Sequence, residues 1–409
     1  MMRSSVTVLV LLTPLVLAAD WPQLLGPGRD GHSSETQLRW DWPASGPPIA
    51  WSKDVGTGWA GPIVASGKVV LFHRLADDEV VACLEPATGK ELWTFKYPTR
   101  YRDEFNFDNG PRATPTAAEG RLFTLGANGD FHGLDLATGA KLWSRNLLAD
   151  YGSSKGFFGV ACSPLVVEGK LLVNVGGKGA GVVAFDPATG KELWKATDDQ
   201  ASYSSPTAAT LHGKLAAVFL TRAGLKILDA GNGKVLLEFP WRPRINESVN
   251  AATPLVWKDE VFVTVSYSTG AALLNVAGQE PMEIWSNDRS LSCQYNTPVR
   301  VGDYLYGVHG RSDVGTAQLR CVEWKTGTVK WSEARFGVAS LIAVDGGLLA
   351  LTEAGDLVRC DASPDAYRER ARASILGKPT RAAPALADGR LFARDGSKMV
   401  CVNLRKEGR

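Results

Sequence analysis

The chain has 409 residues, 44% of them hydrophobic and 22% charged, with 43 glycines and 13 tryptophans. This balance excludes a disordered or collagen-like chain and leaves enough apolar material for a large core. A net charge of +2 with both signs interspersed gives no basic face, which argues against a nucleic-acid binder, and five histidines and four methionines leave little for metal chemistry.

Residues 1–19 read as a secretory signal peptide: Arg3 supplies the positive start, residues 6–18 an apolar stretch too short to span a membrane, and Ala18-Ala19 the small residues for cleavage. No later apolar run is long enough to cross a bilayer, so a soluble periplasmic or secreted protein is expected. No cysteine lies near the cleavage site, so no lipid anchor is expected. Residues 20–47 form an extended N-terminal segment ahead of the main domain at 48–409.

From there the chain repeats. Glu85-Pro86-Ala87-Thr88-Gly89-Lys90-Glu91-Leu92-Trp93 recurs as Asp186-Pro187-Ala188-Thr189-Gly190-Lys191-Glu192-Leu193-Trp194, with variants at 135–143 and 323–331. Residues 229–237 keep the Asn232-Gly233-Lys234 turn but end on Leu237, and weaker copies begin at Asn275, Asp361 and Asn403. A second signature, a small residue and proline before an apolar run, falls at Pro62, Pro115, Pro164, Pro206, Pro254, Pro298 and Pro384, with Ser340-Leu341 filling the gap. Within one unit, strands are predicted at 164–167, 170–175, 182–185 and 192–195. Four short strands every 40 to 50 residues is the period of a β-propeller blade. The last unit lacks a fourth strand, and residues 48–53 at the other end have that form. Pairing the two closes an all-β, eight-bladed propeller of four-stranded antiparallel blades and removes exposed edges.

The nine-residue unit resembles the PQQ-like repeat of eight-bladed propellers, shared by quinoprotein alcohol dehydrogenases and by a component of the outer-membrane β-barrel assembly machinery. The opening at 21–31 is similar to that of exported PQQ-like repeat proteins. The resemblance implies that Trp51, Trp93, Trp143, Trp194, Trp285 and Trp331 dock between neighbouring blades. For a dehydrogenase it also implies pyrroloquinoline quinone over a calcium ion and a disulfide between adjacent cysteines. The sequence has no adjacent cysteines and no haem-binding C-x-x-C-H.

Residues three positions before each proline, or before Leu341, should face one mouth of the central channel. They are Trp59, Arg112, Ala161, Tyr203, Ala251, Tyr295, Val338 and Arg381, flanked by Asp108, Glu247, Asn250 and Asn296. Such a ring suits an anionic planar ligand or a partner's side chains. Two readings stay open. In the first the chain is a non-catalytic scaffold, monomeric and without cofactor, that binds envelope or extracellular proteins. In the second it is a PQQ- and calcium-dependent alcohol or sugar dehydrogenase, with Asp108 and Glu247 as catalytic candidates and Asn250 and Asn296 as further calcium or catalytic groups.

Other patterns carry less. Gly56-Thr57-Gly58-Trp59-Ala60-Gly61 matches a dinucleotide fingerprint but precedes a proline and a strand, not a helix. The five histidines are scattered, and Asn246-Glu247-Ser248 is a formal glycosylation acceptor. Residues 368–372 read as a solvated loop or a degenerate fourth strand. Six cysteines spread over the chain are expected as buried thiols, with Cys321 and Cys360 the first pair to consider for a disulfide.

Overall fold

Each repeat folds as four antiparallel strands because its apolar runs are short and end at glycine turns. In the computed structural model, residues 20–43, 45–211, 213–245, 248 and 250–406 are described. The expected signal peptide at 1–19, His212 and Glu247 lie outside them. Blade 3 shows the pattern: Leu165–Val167, Lys170–Gly177, Ala180–Phe185 and Glu192–Ala196 pair in sequence order. Its two central strands are buried almost throughout, because both faces pack against neighbouring blades, whereas the outermost strand is half exposed.

Eight such sheets complete the ring. Closure is made by Ile49–Asp54, which pairs antiparallel with Lys398–Asn403, setting Trp51 opposite Cys401. Blade 7 takes Glu369–Ser374 as its fourth strand, so the arginine-rich stretch is an outer edge rather than a loop. The described residues contain one α-helix, Leu147–Tyr151, and none long and apolar enough to cross a membrane.

The repeated Gly and Trp form a lock between blades. The indole nitrogen of Trp51 donates to Pro86 O (2.9 Å), Trp93 to Leu136 O (3.2 Å), Trp143 to Pro187 O (3.0 Å) and Trp194 to Ala230 O (3.2 Å), each in the turn of the following blade. Trp285 and Trp331 donate likewise to Trp324 O and Ser363 O, both at 2.8 Å. The turn glycine is demanded twice over: Gly190 has φ +69°, and a Cβ there would lie 2.6 Å from Trp143 Cδ2. Gly89, Gly139, Gly233 and Gly327 stand in the same relation to Trp51, Trp93, Trp194 and Trp285. Blade 4 lost its tryptophan to Leu237, and that leucine instead packs in a cluster with Val276 of blade 5.

All six cysteines are free and buried. Cys321 and Cys360 share one apolar cluster between blades 6 and 7 without a bond, so the pair singled out from sequence is corrected to two small core side chains.

Candidate binding site at the channel mouth

The innermost strand of each blade runs from one mouth of the channel inward, so residues just before it form a ring at that mouth. All eight ring positions, from Trp59 to Arg381, line a single cavity of about 520 Å³, a size typical of small-ligand sites. Beneath them, four hydroxyls explain the Ser or Thr before Pro115, Pro164, Pro206 and Pro298. Thr114 Oγ1 accepts the Gly61 amide (3.0 Å), Ser163 Oγ the Thr114 amide (2.9 Å), Ser205 Oγ the Ser163 amide (2.9 Å) and Thr297 Oγ1 the Thr253 amide (2.9 Å). Each hydroxyl therefore stitches one blade to its neighbour.

The N-terminal segment closes the channel from the opposite end. It is held by short bridges from Trp21 to Val64, His32 to Ala343 and Leu38 to Arg405. Leu24 and Leu25 reach the cavity as part of its wall. Arg29, 2% exposed, fills the channel centre, donating to Ser163 O (3.2 Å), Pro206 O (2.9 Å), Thr116 Oγ1 (3.1 Å) and Pro164 O. Its side chain also reaches Gln23 Oε1 of its own segment at 2.7 Å. Burial lowers its pKa to about 10, and carbonyl dipoles stand in for a counter-ion. Gly31 is required beside it, with φ +75° and a Cβ position 2.5 Å from Val299 Cγ1.

The cavity's cations are already matched. Arg112 binds Asp103 (2.5 Å) and lies 3.5 Å from Asp108, and it donates to Phe158 O and Asp108 O, both at 2.6 Å. Arg381 binds Glu353 (2.7 Å), and Arg311 binds Asp313 through Nε (3.0 Å). Burial alone would raise the Glu353 carboxyl, but Ser312 and Arg381 outweigh it and hold its pKa below the usual value. The guanidinium groups of Arg112 and Arg381 lie 4.6 and 4.8 Å from the Trp59 ring centre.

Sequence reasoning missed the apolar wall. Phe105 and Phe107, 45% and 59% exposed, stack with Phe158 at centroid distances of 5.2 and 6.3 Å, and Phe158 meets Tyr203 edge-on at 5.5 Å. These phenylalanines sit in insertions between repeats, at 105–107 and 157–158, and that clustering was the available signal. Arg29 and Arg311 were missed as well, neither being in a repeated position.

Of the flanking polar residues that are described, only Asn296 lines the cavity. Asp108 turns inward: Oδ2 accepts the Gly58 amide (3.1 Å) and Oδ1 the Gly110 amide (2.6 Å). Asn250 is fully buried, donates to Thr221 O (2.9 Å) and Trp241 O (3.3 Å), and supports Tyr203 by accepting its amide at 3.0 Å. A quinone-bridging calcium needs about six to eight converging oxygens. Here Asp103, Glu353 and Asp313 are held by arginines, Asp108 by arginine and backbone amides, and no three His, Cys, Asp or Glu side chains converge among the described residues. The donor set among the described residues does not fit that group.

Comparison with known proteins agrees with this architecture. The solved structure of BamB from Moraxella catarrhalis superposes with a TM-score of 0.65 at 13% identity, covering 87% of this chain and 99% of that one. The quinohemoprotein alcohol dehydrogenase ADHIIG from Pseudomonas putida HK5 gives 0.65 at 12% identity, covering 96% and 81%. Among curated sequences, the 1-butanol dehydrogenase (cytochrome c) of Thauera butanivorans is 29% identical over 153 residues. That match spans 34% of this chain and only a fifth of the dehydrogenase's length. Residues 76–333, well over half the chain, match a family of PQQ-like repeats, and the chain belongs to that family, described as outer membrane protein assembly factor BamB.

Proposed function

We propose that the chain is an exported, non-catalytic propeller whose channel mouth binds a protein partner or ligand in the cell envelope. In this reading residues 1–19 are a leader, 20–47 a segment that seals the channel, and 48–409 the propeller. One observation carries it: eight blade-start residues converge on a cavity with an aromatic wall, in which each arginine is already paired with a carboxylate. A family named for an outer-membrane assembly factor supports an envelope setting.

The dehydrogenase relatives supply the competing reading, oxidation of an alcohol or sugar with quinone and calcium. Against it stands the inward turn of Asp108 and Asn250. Reconstitution with pyrroloquinoline quinone and calcium, followed by a dye-acceptor assay, separates the two. No absorbance change and no turnover are expected; reproducible turnover would overturn the proposal. Independently, benzoylphenylalanine in place of Phe107, at the cavity rim, should crosslink a discrete envelope component, and the same photoprobe in place of Trp257, exposed at the far end of blade 5's innermost strand, should not.

A further inference from the structure

One hydroxyl of the ring under the mouth holds no neighbouring amide, and its residue lines the cavity. Thr253 Oγ1 has no partner, although its counterparts in blades 2, 3, 4 and 6 each accept a neighbouring amide. Beside it in blade 6, both amide atoms of Asn296 are also unpartnered. Asn296 is 5% exposed and Thr253 3%, and both residues line the cavity. Buried polar atoms left without hydrogen bonds destabilise a protein. Three of them on one wall of one cavity form a patch with both a donor and an acceptor to offer.

The surroundings narrow what could satisfy them. Every arginine on the wall is matched by a carboxylate, so a charged ligand would have to displace an existing pair. Opposite the polar patch lies the apolar wall of Leu25, Phe105 and Phe158. A sugar stacks best on an open aromatic face, but two guanidinium groups lie over Trp59, and Phe105 and Phe158 stack on each other. A carboxamide such as Asn296 is complementary to another amide, its Nδ2–H donating to a carbonyl and its Oδ1 accepting an N–H.

We propose that the cavity binds an uncharged peptide segment, one backbone amide pairing with Asn296 and an aromatic or branched apolar side chain seated against Leu25, Phe105 and Phe158. This rests on the non-catalytic binding role and names its ligand class.

The test titrates the purified full chain by calorimetry with N-acetylphenylalaninamide, N-acetylglucosamine and benzyl alcohol as probes. The first should bind most tightly. Asn296→Leu should weaken it by about tenfold or more while leaving the melting temperature unchanged or raised, since the substitution removes two unsatisfied atoms. Thr253→Val, which replaces the unpartnered hydroxyl by a methyl of the same shape, should weaken it by a few-fold and keeps the test open if Asn296→Leu does not fold. Equal affinity in the variants and the parent protein, preference for the sugar, or no binding of the peptide amide would each overturn the proposal. Retention of the Phe107-site crosslink in Asn296→Leu would sink the amide-pairing idea alone. Its absence from the parent protein too would remove the binding role itself.

Discussion

Substituting Gly190 by alanine tests the lock between blades 2 and 3. At φ +69° an alanine pays the left-handed penalty of about 1–2 kcal/mol. Its Cβ would also stand 2.6 Å from Trp143, an overpacking cost of about 1–3 kcal/mol, so the total is about 2–5 kcal/mol. Gly169 is the internal control: it has φ +66° and nothing within 4 Å of the Cβ position, so Gly169→Ala should cost only the conformational part. Trp143→Ala removes a buried indole that packs on Phe123 and Phe131 and donates to Pro187 O, a loss of about 3–5 kcal/mol. In the double variant the new methyl has room, so the two losses should fall short of their sum by about 1–3 kcal/mol. Urea unfolding followed by circular dichroism on the four variants and the parent measures this. Equal losses for Gly190→Ala and Gly169→Ala, or strict additivity of the Gly190 and Trp143 substitutions, would refute the lock.

Three further outcomes follow from buried groups. His73 and His132 have pKa values lowered to about 4, chiefly by burial, and His73 Nδ1 accepts the Gly56 amide, which requires the neutral ring. Because the folded values lie below the unfolded one, each contributes up to about 3 kcal/mol of stability above pH 6.5, lost as pH falls from 6.5 towards 4. The urea midpoint should therefore drop between pH 7.5 and pH 5, and a flat profile would contradict this. Burial pushes the thiols of Cys83, Cys162 and Cys321 up to about 11 and those of Cys293, Cys360 and Cys401 up to about 12, so a maleimide at pH 7 should label none in the native protein and all six after unfolding without reductant. Fewer than six would reveal a disulfide. Arg29→Met removes the donor to Thr116, Pro164, Ser163 and Pro206, of which Pro164 O keeps the Thr116 hydroxyl, and should cost about 3–5 kcal/mol. Limited proteolysis should then clip residues 20–47 faster than in the parent; unchanged protection would place the anchor elsewhere.

The architecture was legible because the chain repeats: the Thr-Gly turn and the following tryptophan mark every well-kept blade, and the missing last strand pointed to its replacement at 48–53. The channel mouth was partly legible, since a fixed offset from each proline names its eight residues. What repetition could not reveal lies outside the repeats. Phe105, Phe107 and Phe158 come from insertions, and Arg29 reaches the channel from a segment with no counterpart in any blade. Asp108 and Asn250 looked like ligands because the sequence showed their nearness to the ring but not their direction. Only the backbone shows that Asp108 caps the amides of Gly58 and Gly110, and that Asn250 holds the carbonyls of Thr221 and Trp241.

The most direct test of a binding rather than a catalytic mouth is a competitive titration of one preparation of the full chain. Quinone with calcium and N-acetylphenylalaninamide are added in either order while the fluorescence of Trp59, isolated by subtracting a Trp59→Phe variant, is followed. The peptide amide should shift the signal saturably and the quinone with calcium should leave it unchanged. Saturable quinone binding that excludes the peptide amide and supports dye reduction would contradict the account.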